Sequence, residues 1–237
     1  MRNTLTVAGK ELRAYFTSPM AYVVMFFYLG VCGLIFALSI SGQQAVADMR
    51  GLFGTMVFVT LMMAPVITMG LLAQEYASGS IELLMTNPVR DWEVVIGKYL
   101  AAVGLFLLLL VLSLEYPLIM EKYGSPDWGA VFAGYIGVLL AGMAFIAISL
   151  FASSLTRNQI AAAIIGAFML LFFWLIGWLS MSVSESFGDI AKHISIFENF
   201  QDFDKGIVDI KPVIYFLSLM GFFLFLAVRS LENKRTI

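Results

Sequence analysis

The sequence predicts an all-α membrane protein: six transmembrane helices with an N-terminal amphipathic interfacial helix and a short helix in the loop after the second span. Three observations carry this. Of the 237 residues, 61% are hydrophobic and only 13% charged, against about 25% charged in a soluble domain, and mean hydropathy is +0.92. Charge is absent from 14–47, 51–74, 99–114, 128–156, 158–184 and 212–228, windows close to or above the roughly 17–25 residues a helix needs to cross about 30 Å of hydrocarbon. Finally, Trp92, Trp128 and Trp178 fall near the ends of the resulting spans, where an amphipathic ring prefers the membrane–water boundary. The spans are placed near 20–40, 53–73, 96–118, 129–152, 160–180 and 212–229, all within one domain, 1–237.

Residues 1–18 read as a separate element. At 100° per residue Leu5, Ala8, Leu12, Tyr15 and Phe16 share one face, and Arg2, Lys10 and Arg13 another. That is the pattern of a helix lying in the interface; the plainer alternative is a positive flank of the first span. Ser18-Pro19 ends it, because the residue before proline avoids the α region. In the second span Pro65 removes one backbone hydrogen bond. Met56, Met62, Met63 and Met69 there suit ordinary packing, an adaptable substrate surface or a soft-ligand copper path.

The loop at 74–95 is the most informative stretch. Gly79 permits a turn, Ser80 is a good N-cap and Glu82 suits a first turn, so a short helix is expected to expose Ile81, Leu84 and Met85 before stopping at Asn87-Pro88. Asp91 is expected to cap the next helix, which runs into the third span. Such an element is either an interfacial packing piece or a knob that fits a groove in a partner.

Glu115 is the one ionisable group placed toward a span interior. It follows Lys98 by 17 residues, about 25 Å of helix, which puts it at the far boundary beside Pro117, as an interfacial carboxylate or as part of a path lining. In the fourth span Gly129, Ala133, Gly137 and Ala141 repeat every four residues beside Gly134 and Gly142, a spacing that lets helices approach closely within the chain or between copies. The segment 181–211 carries Phe197, Phe200, Phe203 and Ile207 with acids between them. It reads as an amphipathic helix on the outer leaflet, in the position of a lid.

Orientation follows from Lys and Arg. Nine of the 14 lie in the loops on the side of the termini, and ten of the 16 acids on the other, so both termini are expected in the cytoplasm. Several functions drop out. A single cysteine, Cys32, and a single histidine, His193, leave no disulfide framework and no paired-ligand zinc motif, and no metal site is expected. A net charge of −2 gives no footprint for nucleic acid. The only Gly-Lys pairs, Gly9-Lys10 and Gly97-Lys98, precede Glu11 and Tyr99 and have no glycine five residues upstream, so the phosphate-wrapping G-x-x-x-x-G-K-[ST] loop is missing.

The stretches KELRAYFTSPMAYV (10–23) and QEYASGSIELLMTNPVRDWEVVIGKYL (74–100), with six spans between and after them, resemble the permease subunits of ABC transporters of the ABC-2, or type V exporter, class. HISIFENFQDFDKGIVDIKPVIYFLSL (193–219) resembles the gliding-motility-associated branch. The resemblance covers nearly the whole chain. It implies that Glu75, Gly79, Glu82, Leu83, Leu84, Met85, Thr86 and Pro88 belong to a coupling helix seated on a cytosolic ABC ATPase, and that Lys10, Glu11, Arg13, Tyr15 and Phe16 belong to a connector helix touching it. It also implies ATP and Mg bound in that partner and no cofactor in this chain, a second permease copy (homodimer or related heterodimer), and a bacterial cytoplasmic (inner) membrane. Glu115, Met62 and Met63 are the pathway candidates. Two other readings stand beside it: an ATPase-driven mechanotransmitter to an extracytoplasmic accessory protein, and an ion-coupled transporter acting alone.

Overall fold

Helices occupy the charge-free windows because an apolar backbone in lipid must satisfy its own N–H and C=O groups. The computed structural model describes residues 2–41, 49–79, 90–122, 124, 126–179 and 191–235. They form α1 (Arg2–Thr17), α2 (Pro19–Ser41), α3 (Arg50–Ser78), α4 (Asp91–Ser113), α5 (Glu115–Met120), α6 (Trp128–Leu155), α7 (Gln159–Leu179), α8 (Ile196–Asp204) and α9 (Ile210–Arg235), with no strand among the described residues. Six helices, α4 and α5 counting as one, are long and apolar enough to cross a membrane. The chain is an all-α membrane protein.

The spans sort into two shells. Two thirds of the apolar windows of α3, α4–α5 and α6 are buried (67%), whereas in α2, α7 and α9 the share is 22%. Lipid is as apolar as leucine, so sequestering apolar area does not choose which helices go inside; close packing does. The fourth-span stripe supplies it. Gly134 lies under the Phe53 ring of α3, Gly142 under Phe106 of α4 and Gly137 under Phe203 of α8, and a Cβ at any of these glycines would overlap the ring above it. Ala133, Ala141 and Ala144 beside them are buried. The small residues therefore pack within the chain, each glycine forming the notch for one aromatic side chain.

The third span breaks at Leu114, between α4 and α5. Pro117 has no N–H to offer the carbonyl four residues back, that of Ser113, and the Tyr135 hydroxyl of α6 donates to it instead at 2.8 Å. Pro65, by contrast, sits inside α3 without ending it. Local caps close other ends. The Asp127 carboxylate accepts from the Gly129 N–H at 2.9 Å and Asn158 from Ile160 at 2.9 Å. At α4 the expected cap at Asp91 is corrected: the helix starts at Asp91, and the carboxylate of Glu93 accepts from the Arg90 N–H at 3.1 Å. A carboxylate in the first turn reaches back as well as a cap reaches forward.

The segment 193–207 also differs from expectation. Its helix, α8, is there, capped by Ser195, whose hydroxyl accepts from the Glu198 N–H at 3.3 Å. Its aromatic side packs against protein, on α6, α7 and α9. Phe200 and Phe203 are buried; Phe203 sits over Gly137, about 13 Å along α6 from Trp128. Phe197 meets Trp174 of α7 at 5.3 Å and Phe203 meets Phe216 of α9 at 6.4 Å. Ile207 lies beyond the helix and is exposed. The helix packs on the bundle because a glycine notch gives its aromatic side chains a closer fit than lipid can.

Candidate functional site

At the end of the bundle that carries both chain termini, α1 runs alongside the first half of α4. The contacts advance together: Asn3 Nδ2 donates to Glu93 Oε2 at 3.3 Å, Thr4 and Val7 meet Gly97, and Leu12 meets Gly104. Gly97 is what admits the helix, since a Cβ there would lie 2.8 Å from Val7 Cβ and 2.9 Å from the Thr4 carbonyl oxygen. The sequence put Leu5, Ala8, Leu12, Tyr15 and Phe16 on the inward face. In the structure Ala8, Leu12, Tyr15 and Phe16 are half-buried on that face, Thr4, Val7 and Glu11 join them, and of the expected five Leu5 alone is exposed. Glu11 turns inward because its charge is met there.

The group that meets it is Lys98, one residue past Gly97. Its Nζ lies 3.0 Å from Glu11 Oε1 and 2.8 Å from Glu75 Oε1 of α3, with only 2% of the lysine side chain exposed. An ammonium this buried is tolerated only when paired and hydrogen-bonded. Two carboxylates on two other helices do that, so one cation ties α1, α3 and α4 together. Tyr15 adds a second tie between α1 and α3, its hydroxyl donating to the Ile67 carbonyl at 2.7 Å; burial and the neighbouring Glu11 carboxylate push the phenol pKa up, keeping it a donor.

The other flank of the α3 end is held from α6 and α9. Lys234 of α9 places Nζ 4.0 Å above the centre of the Tyr76 ring and donates to the Ser154 carbonyl at 2.7 Å. The Ser230 hydroxyl donates to the same oxygen at 3.1 Å. That carbonyl lies in the last turn of α6, where no intrahelical donor remains. One turn deeper, the Ser153 hydroxyl inserts into the α3 ladder, donating to the Met69 carbonyl at 3.0 Å and accepting from the Ala73 N–H at 3.1 Å. Gly79 then ends α3 in the left-handed conformation (φ 70°), which glycine adopts without steric penalty.

Of the residues singled out from sequence, the structure brings together Glu75, Glu11 and Tyr15. Lys10 and Arg13 are exposed on α1, Phe16 is half-buried, and Met62 and Met63 are half-buried on α3. Glu115 lies at the α4–α5 break with its side chain exposed. Glu82, Leu83, Leu84, Met85, Thr86 and Pro88, with the expected helix from Ser80, lie outside the described residues. Sequence reasoning missed Lys98, Lys234 and Tyr76. For Lys98 a signal existed: a lysine seven residues inside the helix that begins at Asp91 needs a partner. It served only as a topology marker.

The opposite end holds a groove of about 570 Å³ between α3, α7 and α8, with Phe58, Trp174, Phe197 and Phe200 on its walls and Gln201 and Lys205 among its polar groups.

A sequence model of the family described as ABC-2 family transporter protein matches residues 5–227. The chain belongs to the ABC-2 transporter family. The match runs from within α1 to within α9, so it spans the charged end, the notched core and α8 alike. No curated protein matches the chain. Membership makes this ABC-2 protein a permease subunit of an ABC transporter, a multi-pass membrane component that has no ATPase site of its own and works with an ABC ATPase. The missing phosphate loop in its sequence agrees.

Proposed function

We propose that this ABC-2 permease is an exporter subunit in a bacterial cytoplasmic membrane, with both termini in the cytoplasm, and that its ATPase partner moves it through residues 75–88. The observation that supports this most is the grip on the α3 end. Immediately before the segment 80–89, Glu75 is held by Lys98 and Tyr76 by Lys234, so a push on that segment reaches α1, α3, α4, α6 and α9 at once. A segment that only filled space would not call for a buried cation at its root.

In this reading Glu82, Leu83, Leu84, Met85, Thr86 and Pro88 form the coupling helix on the ATPase, α1 is the connector, and ATP with Mg stays in the partner chain. Two copies of the permease form the pathway at their shared interface. The sparsely buried α2, α7 and α9 leave apolar faces for a second copy or for lipid, and Met62 and Met63 offer an adaptable lining. Likeness to the gliding-motility-associated branch rests on 193–219. The test is to co-purify the chain with its candidate ATPase and compare Glu82→Ala and Leu84→Ala. Weaker binding and a loss of permease-stimulated ATP turnover are expected; unchanged binding and turnover in both variants would overturn the assignment.

A further inference from the structure

We infer that Lys98 is a positioning residue that makes α1 follow the end of α3, so that movement at the root of the 80–89 segment is carried into α2 through α1. The inference rests on the ATPase-driven reading above and adds a residue and a route to it.

The geometry is specific. Lys98 stands on α4, but both of its carboxylate partners stand on other helices, Glu11 on α1 and Glu75 on α3. The three helices would hold together if the whole trio were replaced by neutral groups. Gly97 and Gly104 already seat α1 on α4, and Tyr15 already bonds α3. Replacing a buried ion trio with apolar groups of equal volume is often neutral or stabilising. What the charges add is direction: an ammonium shared between two carboxylates keeps one register and resists sliding, whereas apolar surfaces slide at little cost.

The trio is also unbalanced, with two carboxylates for one cation. Among the described residues, the second carboxylate oxygen of Glu75, Oε2, is buried without a hydrogen-bond partner. Glu75 lies four residues before Gly79, where α3 ends. A carboxylate bonded to Lys98 through one oxygen, its other oxygen without a partner among the described residues, is held in place by Lys98 more than by its own surroundings. Between α1 and α2 stands Ser18 alone. Displacement of Glu75 therefore passes to Glu11 through the shared ammonium and from α1 directly into α2, whose far end lies near Leu38.

The experiment uses the full permease–ATPase complex in nanodiscs, with Cys32→Ala and a fluorophore on Leu38→Cys, an exposed position. ATP and vanadate should change the signal in the otherwise unaltered chain. Lys98→Met should reduce that change about fivefold or more, the scale of a lost coupling free energy, while the ATPase still co-purifies; a merely structural role would lower co-purification and signal together. An unreduced signal in Lys98→Met overturns the inference and leaves the ATPase-driven reading standing. If Lys98→Met does not assemble, Glu11→Leu decides, since it keeps the Lys98–Glu75 pair and removes the acceptor on α1: a reduced signal supports the route and an unchanged one overturns it. No ATP-dependent signal in the unaltered chain would overturn the ATPase-driven reading and this inference with it.

Discussion

At the end that carries the termini, three helices meet around the Lys98 ammonium, bonded at 3.0 and 2.8 Å to Glu11 and Glu75. At the other end, three helices meet around the Phe203 ring, seated on Gly137 of α6 and against Phe216 of α9. Both junctions are buried, but they resist different things. The ion trio fixes direction and register, because a charge withdrawn from its partner inside the protein loses a large electrostatic interaction. The aromatic notch fixes distance of approach through van der Waals contact, which is individually weak and falls off quickly once the ring leaves its seat. In the ATPase-driven reading proposed above, that division suits a bundle loaded at one end: stiff, directional bonds where load would enter, and shape-fitted contacts that could reseat at the other.

The comparison breaks first at Lys98. Lys98→Ala should cost about 3–5 kcal/mol, because it strands two buried carboxylates, read as the shift in the unfolding transition in mild detergent. The neutral triple variant Lys98→Met, Glu11→Gln, Glu75→Gln should recover most of that loss. Failure of the triple variant to recover would mean that packing, and not charge, holds this end. At the other end Phe203→Ala should cost a similar amount, about 3–5 kcal/mol, by leaving a cavity above Gly137. Gly137→Ala added to Phe203→Ala should regain part of it by filling the space from below. If Gly137→Ala in the unaltered chain were as stable as the parent, the notch would not be tight and the contrast between the ends would weaken.

The sequence carried the architecture far more fully than the junctions, for physical reasons. Charge-free windows expose the six helices because lipid penalises every unpaired charge along a span; no partner choice is involved. The Gly and Ala spacing in the fourth span likewise announced close packing, but not which side chain would enter each notch, since Phe53 lies 81 residues before Gly134, Phe106 36 before Gly142 and Phe203 66 after Gly137. α1 was legible as a helix with most of its inward face, Leu5 excepted, but the rule that charge points outward hides Glu11. Glu11 defeats that rule through Lys98, a partner 87 residues away. The α8 pattern fixed a helix and its apolar side, but an apolar stripe reads the same against lipid as against a protein notch.

A smaller effect tests how backbone groups are satisfied between the two ends. Tyr135→Phe removes the hydroxyl that serves the Ser113 carbonyl behind Pro117 and should cost about 1–3 kcal/mol, the penalty for a buried acceptor left unbonded. Pro117→Ala in the same chain returns an N–H to that carbonyl and should remove most of the loss; additivity of the two changes would show that the hydroxyl and the proline are not linked.

The smallest expected effect concerns Lys234, and it sharpens the comparison at the charged end. Lys98 is enclosed, whereas Lys234 is exposed and engages the Tyr76 ring by a cation–π contact while serving the Ser154 carbonyl. Tyr76→Leu keeps an apolar side chain against the α6 and α9 ends but deletes the π face, so it should cost about 0.5–2 kcal/mol. It should act mainly on α9: cysteine labelling at Ser230, whose hydroxyl donates to the same Ser154 carbonyl, should quicken in Tyr76→Leu, and labelling at Leu12 of α1 should not. Equal acceleration at both positions would mean that the two lysines form one cooperative clamp, with α1 and α9 released together when either side of the α3 end is loosened.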